Sequence, residues 1–313
     1  MFTRSGDQRD ALSQALEELA REDDRIVALS ADMGSRIIPT FMKNYPDRFF
    51  NFGIAEQGMV GAAAGLAFSG FVPFVTTLAC FLSMRTCEQV RTDIAYPRLN
   101  VKIVGTGGGL SYGNLGSTHQ ALEDISLMRA VANLVVMAPA DAVETRCAVK
   151  AAANHDGPVY IRLGRGAGPV IHEGQSIDGF RIGKAIKLRH GKDVTLIATG
   201  IILAKALMAA EELESRGIHA SVLSMHTVKP LDREAVLEAA KQTRGIVTVE
   251  DNTVIGGLGS AVAEFLSTTY PTWLRIIGIP DTYTIVGSPE DLYREYNMDV
   301  PDIVCAAEEI MQR

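Results

Sequence analysis

Apolar runs alternate with helix-spaced apolar positions along most of the chain. Leu12, Leu16 and Leu19 recur at the three- and four-residue spacing of one helical face, and Arg25-Ile-Val-Ala-Leu-Ser30 then reads as a strand. The same reasoning predicts strands at 71–78, 100–105, 133–137 and 158–163, and helices at 56–68, 83–95 and 141–153. Between 164 and 190 the pattern breaks, where Gly164-Arg-Gly-Ala-Gly-Pro169 opens a glycine-rich stretch without helical periodicity. A second alternating series follows, with strands at 193–199, 218–224, 245–250 and 273–278 and helices at 202–216, 231–241 and 258–267. Strands alternating with helices imply parallel sheets covered by helices. The expected fold class is therefore α/β in two domains, each a mainly parallel sheet with helices on both faces. The expected boundaries are 1–166 for the first domain, 167–190 for a linker and 191–313 for the second domain.

Composition narrows the class. The chain has 313 residues, 47% hydrophobic and 21% charged, enough to bury a large core. Its net charge of −7 comes from 30 basic and 37 acidic residues with the signs interspersed, which argues against nucleic acid or an anionic membrane surface as a partner. Residues 57–84 carry no charge, long enough to span a bilayer, but Gly70 and Pro73 interrupt them. They read as a small-residue helix followed by a buried strand. Cys80, Cys87, Cys147 and Cys305 show no metal-ligand spacing, and the first ten residues hold no apolar signal core, so a cytoplasmic protein without a metal site of its own is expected.

Two segments stand out as candidate chemistry. Glu56 is the one acid in Asn51-Phe-Gly-Ile-Ala-Glu-Gln-Gly-Met-Val-Gly-Ala-Ala-Ala-Gly-Leu66. A carboxyl group in such apolar company loses hydration, which favours its neutral form and suits it to proton exchange with a buried heterocycle. The plainer reading is an acid set against a helix N-terminus. The second segment, Gly105-Thr-Gly-Gly-Gly-Leu-Ser-Tyr-Gly-Asn-Leu-Gly-Ser-Thr-His-Gln120, follows a predicted strand and has six glycines in its first twelve residues. Ligands of open α/β sheets bind beyond such strand ends, and glycines admit close backbone approach. The dinucleotide fingerprint fails here, because Leu110 takes the place of its third glycine. His119 closes the loop, as a donor to a substrate hydroxyl or as a simple loop staple.

The ordered set of motifs resembles the C-terminal half of a transketolase over essentially all 313 residues. Ser30-Ala-Asp32 is similar to the family's early cofactor-proximal motif, the Glu56 run to its pyrimidine-activating segment, and Phe81-Leu-Ser-Met-Arg85 to the segment whose aromatic packs on the aminopyrimidine. Thr118-His-Gln120 resembles the substrate loop, and Gly157-Pro-Val-Tyr-Ile-Arg-Leu-Gly-Arg165 the strand that ends the pyrimidine domain. Thr227-Val-Lys-Pro-Leu-Asp232 and Glu250-Asp-Asn-Thr-Val-Ile-Gly-Gly-Leu-Gly-Ser260 resemble the C-terminal domain. The resemblance implies thiamine diphosphate as cofactor, activated by Glu56, stacked on Phe81 and contacted by Asp32. It also implies that His119 meets the hydroxyls of a ketose donor and Arg165 a sugar phosphate. Arg162 competes for that phosphate role, an ordinary core aromatic remains the alternative for Phe81, and a turn or cap the alternative for Asp32. One departure is Leu115, where family members often carry an acid four residues before the histidine. It leaves Asn114 as the polar neighbour and points to an atypical donor.

The family's Gly-Asp-Gly motif for the Mg²⁺ of the diphosphate does not occur in the sequence. The resemblance therefore implies a separate N-terminal-half subunit that binds diphosphate and Mg²⁺, in an alpha2beta2 complex acting on sugar phosphates. The rival readings are the beta subunit of a 2-oxoacid dehydrogenase, a fragment of a deoxyxylulose-phosphate synthase, and a non-catalytic scaffold subunit that has kept the fold.

Overall fold

The computed structural model describes residues 2–174 and 176–313. In the first half the strands are β1 (Ser5–Asp7), β2 (Ile26–Ser30), β3 (Phe49–Asn51), β4 (Val72–Leu78), β5 (Lys102–Thr106), β6 (Val135–Met137), β7 (Val159–Leu163) and β8 (Ala167–Pro169). The second half adds β9 (Ile186–Arg189), β10 (Val194–Thr199), β11 (Ala220–Ser224), β12 (Thr227–Lys229), β13 (Gly245–Thr253) and β14 (Trp273–Ile279). One seven-stranded sheet runs β12-β6-β7-β5-β4-β2-β3, parallel except for β12, and a five-stranded sheet runs β14-β13-β10-β11-β9, parallel except for β9. The α/β class in two mainly parallel layers is thus observed.

Local chemistry explains the main helices. Asp7 accepts from the Arg9 amide at 2.8 Å and opens helix Gln8–Glu22, whose Leu12 and Leu16 are fully buried against the sheet. Asp141 accepts from the Glu144 amide at 2.8 Å and opens Ala142–Asn154. The uncharged stretch is helix Glu56–Phe68 followed by the fully buried β4, and among the described residues no helix is long and apolar enough to cross a membrane.

Three expectations are corrected. The helix expected at 83–95 begins earlier, as Ala79–Met84, and breaks before a widened turn at Val90–Ala95. The Thr86 hydroxyl, bonded to the Leu82 carbonyl at 2.5 Å, competes with the backbone ladder at the break. Two pieces expected in the linker are strands: β8 pairs antiparallel with β1, and β9 edges the second sheet. The third concerns β12, which belongs by sequence to the second half yet pairs with β6 on the first sheet. The two halves are therefore interlocked. One core runs from Val136 and Ala138 into Ile197, Leu223, Met225 and Val228 without interruption.

A buried polar clasp reinforces this junction. Glu144 accepts from the Ser224 hydroxyl at 2.7 Å and from His172 Nε2 at 2.9 Å. Burial would raise the Glu144 carboxyl, but the His172 hydrogen bond and the nearby positive charge outweigh it and hold the group below the ordinary 4.5. Burial opposes charge on His172 as well, yet Glu144 prevails and holds the imidazole above the ordinary 6.5. His226, stacked on Phe180 at 4.1 Å, is pushed the other way by burial. The sign follows. A raised histidine contributes stability that is complete below 6.5 and is lost as pH rises through its folded value. Above about pH 7, where His226 is neutral, the His172 contribution to the melting temperature should decline as pH rises in the native chain. His172→Gln should flatten that slope, as calorimetric scans at several pH values would show.

Candidate active site

The carboxyl ends of β2, β4, β5 and β7 converge on one edge of the first sheet, and the loops that leave them carry the candidate residues. Glu56 is the first residue of its helix and is 5% exposed, although no side chain caps that terminus. Both sequence readings therefore meet in one residue: the acid lies at a helix N-terminus and in a recess. The expectation of an acid without a charged partner is corrected. Arg85 reaches across from the end of helix Ala79–Met84 and donates to Glu56 Oε1 at 2.9 Å.

Arg85 also lies over Phe81, with its guanidinium carbon 4.0 Å from the ring centre. Phe81 meets the edge of His119 at 5.4 Å, and His119 faces Tyr112 at 6.5 Å between ring centres. Tyr112 carries the Arg165 guanidinium at 4.4 Å on its ring. A continuous line of contacts thus joins Glu56, Arg85, Phe81, His119, Tyr112 and Arg165. Beneath it, Leu78, Ala79, Cys80 and Ala121 form an apolar floor with Tyr112. Burial pushes the Cys80 thiol up to about 12, so the thiol stays protonated and is no nucleophile.

The loop glycines make this line possible. Gly107 has φ +71°, and a Cβ there would overlap the Tyr112 ring. The His119 ring is oriented by its neighbour, with Nδ1 2.9 Å from the Thr118 hydroxyl. That leaves Nε2 as the other ring nitrogen able to meet a ligand.

Other candidates are placed differently. Asp32 follows β2 in a left-handed conformation (φ 57°), and its amide donates to Asn51 Oδ1 at 3.2 Å, so the turn reading describes its backbone. Its side chain is exposed and takes no part in the line of contacts. Asn114 and Leu115 sit exposed on the tight turn Leu110–Leu115, and Asn114 makes no hydrogen bond to His119. Arg162 is buried. It is 6% exposed, its Nε lies 3.4 Å from Asp124, and Nη2 donates to the carbonyls of Ala121 (3.0 Å) and Asp251. Arg165, by contrast, is exposed beyond the end of β7.

Sequence reasoning missed Arg85, Tyr112 and Asp251. Arg85 had one signal, since it lies four residues after Phe81 and so on the same helical face. Tyr112 had only its place among glycines.

Comparison with known proteins identifies the family. Residues 5–170 match the transketolase pyrimidine-binding domain, and residues 183–303 match the transketolase C-terminal domain. The chain is 45% identical over 306 residues to the 6-deoxy-6-sulfo-D-fructose transketolase subunit SqwH of Clostridium sp. (strain MSTE9), covering 97% of this chain and 94% of that one. It is 42% identical over 306 residues to an apulose-4-phosphate transketolase subunit of Phocaeicola vulgatus, covering 97% of each. A solved structure described as a split gene transketolase, inactive beta4 tetramer, superposes with a TM-score of 0.89 at 44% identity, covering 98% of both chains.

Proposed function

Because the chain belongs to the transketolase family, we propose that it is the beta subunit of a split transketolase, gripping the pyrimidine end of thiamine diphosphate. The observation that carries this reading is the Glu56–Arg85–Phe81 arrangement. An aminopyrimidine needs an aromatic face to stack on and a carboxyl group to exchange a proton with. The planar, N–H-bearing Arg85 guanidinium already makes contacts of those two kinds, over Phe81 and onto Glu56. The residues present therefore fit the group.

When bound, the cofactor supplies the carbon centre that holds a two-carbon unit between donor and acceptor. The chain's own residues do the rest. Glu56 holds and returns a proton at its carboxyl oxygen. Phe81 offers its ring face to the pyrimidine end. His119, with Nδ1 engaged by Thr118, turns Nε2 toward the donor hydroxyls. Arg165 takes the anionic end of a sugar. The two relatives are named for unlike ketoses, one sulfonated and one phosphorylated. A guanidinium suits either anion, so a ketose with an anionic end is the proposed donor class. The exposed Leu115 beside the loop is the feature that makes its hydroxyl pattern atypical.

We also assign the diphosphate and Mg²⁺ site to a partner subunit, in an alpha2beta2 assembly in the cytoplasm. The support is the structural relative described as an inactive beta4 tetramer of a split transketolase. Calorimetry with thiamine diphosphate and Mg²⁺ tests this. Binding should be tight only after co-purification with the partner, and tight binding by the chain alone would overturn the split-site assignment.

Arg85 supplies a prediction. It must leave Glu56 and Phe81 to admit the cofactor, which costs an ion pair exposed on its arginine side and a cation–π contact. Together these are worth roughly 1–2 kcal/mol. Arg85→Ala should therefore tighten thiamine diphosphate binding by the complex about fivefold or more. Weaker binding would mean that Arg85 stays as a cofactor contact.

A further inference from the structure

The loop that carries Tyr112 and His119 belongs to the first sheet, but its shape is held by the second domain. Asp251, on β13, is 2% exposed. Its carboxylate accepts from the Leu110 amide at 3.1 and 3.2 Å through its two oxygens, and from the Tyr293 hydroxyl at 2.9 Å. Gly109 turns with φ +61° at this point, and a Cβ there would overlap the Asp251 carboxylate. The carboxylate therefore fills the inside of the turn that starts the Leu110–Leu115 segment. From the same side, Arg162 donates to the carbonyls of Asp251 and Ala121, so both ends of the loop are tied to one strand of the second domain. Three further contacts close the other flank. Ser117 Oγ donates to the Thr284 carbonyl at 2.8 Å, the Thr284 hydroxyl donates to Gln120 Oε1, and the Gly287 amide donates to the Gly113 carbonyl at 3.3 Å.

We propose that Asp251 is a positioning residue: through the Leu110 amide and the Gly109 turn it sets where Tyr112 and His119 stand over the reacting centre. The second domain thereby enters the reaction without touching cofactor or substrate. Charge and burial make this tie effective. A carboxylate accepting from a backbone amide in a water-excluded site is a strong and directional tie. Tyr112, two residues beyond Leu110, lies between His119 and Arg165, so a slip of the turn moves both ends of the substrate path together. Glu56 and Phe81 are carried by other elements, so a slip of the turn leaves their backbones in place.

The inference rests on the transketolase reading, and its test separates the two. The complex with its partner subunit would be assayed with fructose 6-phosphate as donor probe, and the loop followed by amide hydrogen exchange. Asp251→Ala should raise the donor KM about tenfold or more. Asp251→Asn, which keeps one acceptor for Leu110, should recover much of that loss. Tyr293→Phe, which keeps the packing, should raise the donor KM a few-fold. In each variant amides of 110–119 should exchange faster while thiamine diphosphate affinity stays unchanged. Arg129→Met is the control, because it breaks a domain contact to Gly256 and Glu264 away from the loop. It should move neither loop exchange nor donor KM. Unchanged loop exchange in the Asp251 and Tyr293 variants overturns the proposal, as does an equal response of Arg129→Met or a parallel fall in cofactor affinity. If the native complex shows no turnover while the Asp251 variants still loosen the loop, the functional reading fails and the tie stands.

Discussion

Glu56→Gln is expected to cost the assembled complex roughly 10²–10⁴ in turnover, the range typical of a lost proton-transfer group. Glutamine has nearly the same shape and keeps an oxygen that can accept from Arg85, so the recess at the helix start stays filled. The substitution removes the ability to hold and return a proton. Arg85 loses a charged partner, but it is 47% exposed and water compensates it at little cost. Melting temperature and thiamine diphosphate affinity should therefore change little while turnover collapses. Steady-state rates and calorimetry on the same preparation make the comparison. A scaffold subunit would tolerate the change, and full turnover in the Gln variant would remove Glu56 from the mechanism.

Much of this was legible because it depends on neighbours in sequence. Alternating apolar runs gave most strands of the two sheets, though not β3, β9 or β12, and the glycine-rich run after a strand marked the loop that carries His119. Glu56 stood out because small uncharged residues surround it along the chain. What stayed hidden depends on residues far apart. Arg85 meets Glu56 across 29 positions and from a different helix, so no spacing announces the pair. β12 is three residues long and finds its partner on the other half's sheet, which no periodicity in so short a stretch encodes. The loop was read as a ligand loop of the first domain alone, since the amide-to-carboxylate tie from Leu110 to Asp251 spans 141 positions.

The two arginines near the end of β7 show the same limit, and a pair of substitutions separates them. By sequence either Arg162 or Arg165 could meet an anion. In the fold, Arg162 lies inside the fully buried β7, where a charge survives only with partners. Those partners are Asp124, itself buried and accepting from Tyr160 at 2.6 Å, and the carbonyls of Ala121 and Asp251. Arg162→Met would fill much of the volume but leave Asp124 as an uncompensated buried charge beside Asp251. Removing one member of a buried pair costs roughly 3–5 kcal/mol. Melting temperature should drop by roughly 10 °C, a readout that needs no substrate. Arg165→Met should do the reverse. Arg165 is exposed, and its contact with the Tyr112 ring is worth only about 0.5–1 kcal/mol. Stability should barely move, while KM for an anionic sugar rises about tenfold or more through the lost charge-assisted bonds. KM for an uncharged sugar should stay where it was. An Arg162 variant that melts normally yet loses anion affinity would reverse the assignment, because the buried network would then be holding the anion rather than the domains.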